Sequence, residues 1–209
     1  MKTFEQVVYI VEDDASFRKS MERLVRGFGY EVVAFDSASA FLAQESIRHP
    51  GCLLLDVQLP DVDGLHLQQK LIEKGFSLPV IFMTGHGTVP MSVQAMKNGA
   101  VDFLLKPFTA GNLLNAIANA VERNTLEMTE AFDRKKTAAL IDGLTPREKE
   151  ILCWLVSGRL NKQIAYGLGI TERTVKAHRS SIMQKTGVSS VAELVRLSEK
   201  AGISPVPTD

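Results

Sequence analysis

Short apolar runs recur along the first 123 residues, separated by stretches long enough to form a helix. Each run has about the length of a β-strand, and near-continuous apolarity is typical of strands that are buried on both faces. Five such runs that alternate with helical segments predict a parallel sheet with helices on both of its faces. The runs cover residues 7–11, 32–35, 52–55, 80–83 and 101–105.

The segments between these runs have the three- and four-residue apolar spacing of amphipathic helices. In the first segment, Phe17, Met21, Leu24 and Phe28 follow this spacing, and Gly29 comes next as a residue that ends helices. Further helices are predicted over residues 37–45, 65–73, 89–98 and 112–122.

The pattern changes after residue 123. Residues 124–142 are polar, rich in helix formers and free of Gly and Pro, which favours a helical linker, although a disordered linker fits the same composition. The string Thr145-Pro146-Arg147-Glu148 then has the pattern of a helix N-cap, a first-turn proline and a capping glutamate. Four short helices are predicted from there, with Gly169 ending the second and Thr171 opening the third.

The composition is typical of a soluble globular protein. Of the 209 residues, 45% are hydrophobic and 23% are charged, which is enough apolar material for a core and excludes a disordered chain. No apolar run approaches the roughly 18 residues of a membrane helix, and residues 1–5 do not begin a signal peptide. Cys52 and Cys153 lie far apart and form neither a disulfide framework nor a metal knuckle, so we expect a cytoplasmic protein without membrane attachment.

The net charge of zero conceals an asymmetry between the two parts of the chain. Residues 1–123 carry 11 basic and 14 acidic residues, whereas residues 124–209 carry 13 and 10. Within residues 159–185 there are six basic residues and one acidic residue, Glu172. This distribution suggests two separate tasks, although charges that cluster by chance on a solvated face would look the same.

Polar side chains follow four of the predicted strands. Glu12, Asp13 and Asp14 come after the first strand, Asp56 after the third, Thr84 after the fourth and Lys106 after the fifth. The carboxyl ends of parallel strands share one edge of a sheet, so these groups should meet there. Clustered carboxylates need a compensating cation, and oxygen ligands suit Mg²⁺. The set therefore predicts phosphoryl transfer to a carboxylate, with Lys106 neutralising phosphoryl oxygens, although a single aspartate there could be only a helix N-cap.

These residues resemble a known family. Four strings are together similar to the receiver domain of two-component response regulators of the FixJ type, in the NarL/LuxR class. They are Val11-Glu12-Asp13-Asp14, Leu55-Asp56 through Asp63-Gly64, Met83-Thr84-Gly85-His86-Gly87 and Asp102-Phe103 through Lys106-Pro107-Phe108. The resemblance covers about residues 7–123. It implies a doubly wound α/β fold with a five-stranded parallel sheet, of the flavodoxin/CheY-like kind.

The resemblance also implies a role for individual residues. Asp56 corresponds to the phosphoacceptor, and Thr84, Phe103 and Lys106 to the switch pair and the active-site lysine, with a cis proline after Lys106. Mg²⁺ (or Mn²⁺) would be held by Glu12, Asp13, Asp56 and the backbone carbonyl of Gln58. Three positions depart from the usual pattern, since Asp is commoner at position 12, Met at Leu59 and Tyr at Phe103.

A local change such as phosphorylation must bias a bistable surface to have an effect. By resemblance, that surface is the helix over residues 89–98 with the fifth strand and the helix after it. Met91, Ala95, Met96 and Val101 could form a dimer contact there, or could belong to the core instead.

The third predicted helix of the C-terminal part has a face suited to DNA. Arg173, Lys176, Ala177, Ser180 and Gln184 share that face and combine positive charge with short side chains, as entry into a major groove requires. Residues 143–197, through Leu144-Thr145-Pro146-Arg147-Glu148 and Asn161-Lys162-Gln163-Ile164-Ala165, are similar to LuxR-type helix-turn-helix domains. By resemblance, the base-reading positions are Lys176, Ala177 and Ser180, and the phosphate-contacting positions are Lys162, Arg173, Thr174, Arg179 and Lys185. Arg179 could alternatively be a solvated or intradomain charge.

The sequence thus predicts a receiver domain over residues 1–123, a linker over 124–142 and a small all-α, four-helix DNA-binding domain over 143–209. A sensor histidine kinase would phosphorylate Asp56 and thereby control homodimerisation, binding to double-stranded DNA and contact with RNA polymerase. The protein would not be an enzyme beyond accepting and slowly losing its own phosphoryl group. A phosphohydrolase is disfavoured because Gln58 stands where a second aspartate would be expected, and a constitutive DNA-binding protein is the other alternative.

Overall fold

The computed structural model describes residues 6–44, 47 and 50–203. The chain divides into two compact units, Met1–Met128 and Thr129–Asp209. The first unit contains five strands, β1 (Val7–Val11), β2 (Glu31–Phe35), β3 (Gly51–Asp56), β4 (Val80–Thr84) and β5 (Asp102–Leu105). All pairings are parallel, in the order β2-β1-β3-β4-β5, which confirms the predicted doubly wound sheet.

Helices connect the strands and cover both faces of the sheet. They are α1 (Ala15–Gly27), α2 (Ala38–Leu42), α3 (Gly64–Glu73), α4 (Val89–Lys97) and α5 (Ala110–Asp142). Alternate residues of the strands point to opposite faces, so β1 places Val7, Tyr9 and Val11 in one core and Val8 and Ile10 in the other. The central strands β1, β3 and β4 are buried along their whole length.

The structure shortens two of the predicted elements. The helix predicted over residues 37–45 is α2, which begins after its N-cap Ser37 and ends at Leu42, with Ala43 as its C-cap. Residue 45 lies outside the described residues. The last strand begins at Asp102 and is not buried on both faces, since Leu105 is 55% exposed. An edge strand has a neighbour on one side only, which explains this exposure.

Gly64 allows α3 to start close to the end of β3. A Cβ atom at this position would lie 2.4 Å from the backbone oxygen of Asp56, nearer than any side chain can approach. Asp63 caps the helix by accepting a hydrogen bond from the N–H of Leu65. The string Asp63-Gly64 is therefore required for the tight turn that follows Asp56.

The second unit is helical in its described part. α5 continues through the 124–142 segment, and α6 (Pro146–Val156), α7 (Asn161–Leu168), α8 (Glu172–Thr186) and α9 (Val191–Lys200) follow. Thr145 and Glu148 form the predicted capping box of α6. Gly169 has the left-handed conformation at φ 64° and ends α7, so that α7 and α8 form a helix-turn-helix. The core of this unit includes Ile151, Ile164, Val175, Ile182 and Leu194.

The 124–142 segment is helical in the structure, whereas the proposed domain boundaries at residues 123 and 143 remain predictions. Among the described residues, no helix combines the length and apolarity needed to cross a membrane.

Candidate functional site

Asp56 lies at the carboxyl edge of the sheet between a backbone donor and a lysine. Its Oδ1 accepts a hydrogen bond from the N–H of Gln58 at 2.9 Å, and its Oδ2 accepts one from Nζ of Lys106 at 2.7 Å. The same Nζ donates to Oε2 of Glu12 at 2.7 Å. One ammonium group from the end of β5 therefore bridges the carboxylates that follow β1 and end β3.

The ion pairs of Lys106 with Glu12 and Asp56 are strong because both carboxylates are buried. Glu12 is 1% exposed and Asp56 is 6% exposed. Burial raises the pKa of Glu12, and the hydrogen bond from Lys106 only partly opposes this effect. Burial alone would lower the pKa of Lys106, but its hydrogen bonds to Asp56 and Glu12 outweigh burial and raise it. Lys106 thus stays protonated, and its single positive charge compensates the two carboxylates only in part.

Asp13 and Asp14 are adjacent but do different things. One carboxylate oxygen each from Glu12, Asp13 and Asp56 lie within 4.8 Å of one another, and Asp13 is exposed to solvent. Asp14 instead caps α1, accepting hydrogen bonds from the N–H groups of Ser16 at 2.8 Å and Phe17 at 2.9 Å. These backbone hydrogen bonds lower the pKa of Asp14. Of the acidic residues after β1, Asp14 is therefore the helix cap.

The three carboxylates fit a divalent cation. They offer hard oxygen ligands on one side of the pocket and an exposed side where water can complete the coordination, as Mg²⁺ requires and Mn²⁺ tolerates. The N–H of Gln58 donates to Oδ1 of Asp56, and the role of its carbonyl as a metal ligand stays a prediction.

Thr84 ends β4 and Phe103 lies within the neighbouring strand β5, and both are close to Gly87. Thr84 is fully buried, and its Oγ1 accepts a hydrogen bond from the N–H of His86 at 3.2 Å. The ring of Phe103 is half-buried, with its centroid 6.0 Å from that of Phe82. A Cβ atom at Gly87 would lie 2.8 Å from Phe103 and 3.1 Å from Cγ2 of Thr84. Gly87 therefore lies against both side chains, with no room for a side chain of its own.

Three residues make contacts that could not be predicted from the sequence. Nη1 of Arg18 donates to the backbone oxygens of Glu12 and Asp13, and the ring of Phe17 lies 4.1 Å from Nζ of Lys106. Asp61 accepts hydrogen bonds from the N–H groups at the start of α2, and its contacts with Ser39 lower its pKa to about 2. Helical spacing predicted that Phe17 lies on α1, but it carries no signal for contacts with the preceding loop or with Lys106.

The predicted dimer residues separate into core and surface. Ala95 is fully buried, and Met91 and Val101 are half-buried against the two cores, so that only Met96, at 48% exposure, is open to solvent. Ala95 is therefore a core residue, because α4 turns this position towards the sheet. The exposed apolar residues of this region are Val89, Val93, Met96 and Leu105, here called the α4–β5 patch.

The predicted DNA-facing surface of α8 is open in the structure. Arg173, Lys176, Ala177 and Ser180 are exposed, whereas Val175 and Ile182 on the other side are buried in the core. Lys162 on α7 is also exposed, and Thr174 and Arg179 are half-buried. The amphipathic division of α8 that the sequence predicted is thus present.

Lys185 is the exception among the predicted phosphate contacts. Its Nζ donates to Oε2 of Glu148 at 2.7 Å, and Glu148 is buried. Ser181 of the same helix donates to Oε1 of Glu148 at 2.7 Å. The hydrogen bonds from Lys185, Ser181 and the N–H of Thr145 lower the pKa of Glu148 to about 2. The charge of Lys185 is therefore paired with a buried carboxylate of its own domain, although the lysine side chain itself is 40% exposed.

Comparisons with known proteins agree with both parts of this architecture. Residues 8–118 match the model of the family described as response regulator receiver domain, and residues 142–198 match the model described as bacterial regulatory proteins, luxR family. The chain is 44% identical to the response regulator protein TmoT of Ectopseudomonas mendocina over 96% of this chain and 91% of the relative. It is 39% identical to the transcriptional regulatory protein FixJ of Azorhizobium caulinodans over 95% and 94% of the two chains. A solved structure of the response regulator StyR is similar with a TM-score of 0.88 and 42% identity, over 94% of this chain and 99% of that one.

Proposed function

Because the chain belongs to the response regulators that join a receiver domain to a LuxR-family DNA-binding domain, we propose that phosphorylation of Asp56 controls its binding to DNA. Family membership implies a transcription regulator with a sensor kinase partner, and not a classical enzyme. The observation that carries the proposal is the geometry of Asp56, a buried carboxylate held between the N–H of Gln58 and Nζ of Lys106, with two further carboxylates beside it.

Asp56 is the nucleophile in this proposal. A carboxylate oxygen attacks the phosphorus of a phosphohistidine on the kinase, a P–O bond forms, the P–N bond breaks and the imidazole leaves with the electron pair. Lys106 then lies within reach of the new phosphoryl oxygens, since its Nζ is 2.7 Å from Oδ2 of Asp56. Its protonated state stabilises the negative charge that the transferred group brings.

Glu12, Asp13 and Asp56 would hold Mg²⁺, with the carbonyl of Gln58 as a further ligand. The ion supplies charge neutralisation for the phosphoryl oxygens during transfer. Arg18 fixes the loop that carries Glu12 and Asp13 by donating to their backbone oxygens. The glutamate at position 12 reaches Lys106 directly, so the longer side chain is compatible with this pocket.

Thr84 and Phe103 are the switch residues of the proposal. The hydroxyl of Thr84 would exchange its contact with the N–H of His86 for a phosphoryl oxygen, which vacates space for the ring of Phe103. Gly87 gives the ring room to turn, because its neighbours leave no space for a Cβ atom. The change reaches Leu105, which lies against Gly87, and with it the α4–β5 patch.

The α4–β5 patch would be the contact with a second copy of the chain. Val89, Val93 and Met96 lie on one face of α4 at spacings of four and three residues, with exposures of 76%, 45% and 48%. An exposed apolar face of this kind indicates an interaction surface. A dimer bound to two half-sites gains avidity over a monomer.

The DNA contacts are proposed for the exposed face of α8. Lys176, Ala177 and Ser180 would read bases, and Lys162, Arg173, Thr174 and Arg179 would contact phosphates. Binding to chromosomal DNA would place the protein in the cytoplasm, with RNA polymerase as a further partner.

The test is specific DNA binding by the full chain across a promoter library. Binding is measured with and without acetyl phosphate and Mg²⁺, for the parent and for Asp56→Asn. We expect phosphodonor and Mg²⁺ to tighten the specific binding of the parent at least tenfold and to leave Asp56→Asn unchanged. If the specific affinity is the same with and without phosphodonor and Mg²⁺, and in Asp56→Asn, the protein is a constitutive DNA-binding protein. The absence of specific binding would overturn the proposal.

A further inference from the structure

Glu148 is a buried carboxylate whose hydrogen bonds connect two helices of the second unit. It is 3% exposed and accepts from the N–H of Thr145 at 2.8 Å, from Oγ of Ser181 at 2.7 Å and from Nζ of Lys185 at 2.7 Å. Thr145 precedes α6, whereas Ser181 and Lys185 both belong to α8. The single carboxylate therefore ties the start of α6 to the C-terminal half of α8.

The neighbouring residue makes a matching contact with the other helix of the helix-turn-helix. Nη2 of Arg147 donates to the backbone oxygen of Leu168 at 2.9 Å, at the last residue of α7. Carbonyl groups at a helix end lack partners within the helix, so this contact satisfies one of them. Two consecutive residues of α6 thus hold the end of α7 and the side of α8.

We propose that Lys185 and Glu148 are positioning residues that fix the orientation of α8 for DNA binding, and that Lys185 acts through Glu148 and not through a DNA phosphate. This inference rests on the proposed DNA binding. It also reassigns Lys185, for which the sequence resemblance implied a phosphate contact.

The geometry of α8 supports this assignment. Ser181 and Lys185 are four residues apart and share a face, about 100° around the helix from the face of Ser180 and Gln184. Ser180 and Gln184 are exposed and face solvent, whereas Ser181 and Lys185 both donate to Glu148, although the Lys185 side chain is also 40% exposed. Moving Lys185 to a phosphate would leave a buried carboxylate without its counter-charge, which is strongly unfavourable.

The dependence of DNA affinity on salt separates the two roles. Each lysine that contacts a phosphate contributes about 0.9 to the slope of log affinity against log salt concentration, because its binding releases counterions. A lysine that only orients α8 changes the affinity at every salt concentration and leaves the slope unchanged. Lys162 is the matched comparison, since it is exposed and has no ion pair in the part of the chain that the structure describes.

The experiment measures binding of the full chain to a fluorescent DNA duplex over a range of salt concentrations. We expect Lys185→Met to weaken binding by about tenfold with the parental slope, and Lys162→Met to reduce the slope by about 0.9. A slope for Lys185→Met that falls as far as that for Lys162→Met would overturn the inference. If the parent binds no duplex at all, the proposed function fails, and the positioning role fails with it.

A second measurement tests the pair without DNA. Trp154 is the only tryptophan of the chain and packs in the same unit, so its fluorescence follows unfolding of the DNA-binding part. We expect Lys185→Met and Glu148→Gln each to lower the unfolding midpoint by several degrees, and the double variant to lower it by clearly less than the sum. Lys162→Met should leave the midpoint unchanged. Strictly additive losses, or no loss for Lys185→Met, would show that the two residues do not act together.

Discussion

Asp13 and Asp14 are chemically identical neighbours that differ only in what surrounds them. Asp13 joins the carboxylate cluster, whereas Asp14 accepts two backbone hydrogen bonds at the start of α1. We predict that Asp13→Asn weakens the apparent affinity for Mg²⁺ in phosphorylation by acetyl phosphate at least tenfold, because one charged ligand is lost. The measurement is the rate of phosphorylation against Mg²⁺ concentration.

Asp14→Asn is the matched control for that prediction. Asparagine caps a helix about as well as aspartate, so α1 should keep its start and the Mg²⁺ dependence should stay parental. If both substitutions change the Mg²⁺ dependence equally, the assignment of Asp13 and not Asp14 to the metal cluster would be wrong.

Gly87 sets the space that the switch residues share. A Cβ atom there would lie 2.4 Å from Leu105 and 2.8 Å from Phe103, whereas a Cβ atom at Gly85, two residues earlier, would meet nothing within 4 Å. We predict that Gly87→Ala destabilises the receiver by about 1 kcal/mol, because the ends of the Leu105 and Phe103 side chains must shift to admit the methyl group. Urea unfolding followed by circular dichroism measures the loss. Gly85→Ala should leave stability unchanged or slightly raised, and an equal loss there would point to the loop backbone instead of the ring contacts.

The contacts between helices give the second unit a dependence on pH. The pKa of Glu148 is about 2 in the folded protein and near 4.5 as an ordinary glutamate. A lowered pKa contributes stability that is complete above about pH 4.5 and is lost as the pH falls towards 2. We predict a loss on the order of 2 kcal/mol across this window, measured from the urea unfolding of Trp154.

Glu148→Gln identifies the source of this pH dependence. The variant cannot titrate at position 148, so its stability should be lower at pH 7 and should fall less between pH 4.5 and 2. If the free energy of unfolding falls equally steeply with pH in both proteins, other carboxylates cause the acid sensitivity. Glu193 is one example, because its contacts with Ser189 also lower its pKa.

At the scale of elements, the sequence was sufficient where local chemistry decides the structure. Continuous apolar runs located β1, β3 and β4, and the string Thr145-Pro146 located the start of α6. The pattern of strand ends also predicted correctly that Asp56 and Lys106 meet. The burial of Ala95 could not be read from spacing, because α4 has apolar residues on its exposed face as well as on its buried one.

The features that the sequence did not predict are mostly contacts between segments far apart in the chain. The pairing of Lys185 with Glu148 joins residues 37 positions apart, and a basic residue on a basic helix gives no sign of it. The contact of Phe17 with Lys106 likewise depends on how α1 packs beside the end of β5. Resemblance to a family assigns a role to a residue at a given position. Whether the side chain is available for that role depends on the contacts it makes with the side chains around it.

At the scale of the whole molecule, the proposed output is association between two copies. The α4–β5 patch exposes four apolar side chains, and in the proposed switch its link to Thr84 and Phe103 would run through Gly87 and Leu105. We predict that Val93→Asp abolishes dimerisation in the presence of acetyl phosphate and Mg²⁺, because a charge would be buried without a partner at the contact. Sedimentation velocity measures the dimer, and phosphorylation of Asp56 should continue at the parental rate.

Ile72→Asp provides the comparison, since Ile72 on α3 is 55% exposed but lies outside the patch. This variant should dimerise like the parent. Loss of the dimer in both variants would mean that added charge alone prevents association, and its survival in Val93→Asp would place the contact on another surface. If only Val93→Asp stays monomeric, its affinity for a duplex with two half-sites should fall to that for a single half-site, because the gain from binding both half-sites together requires the dimer.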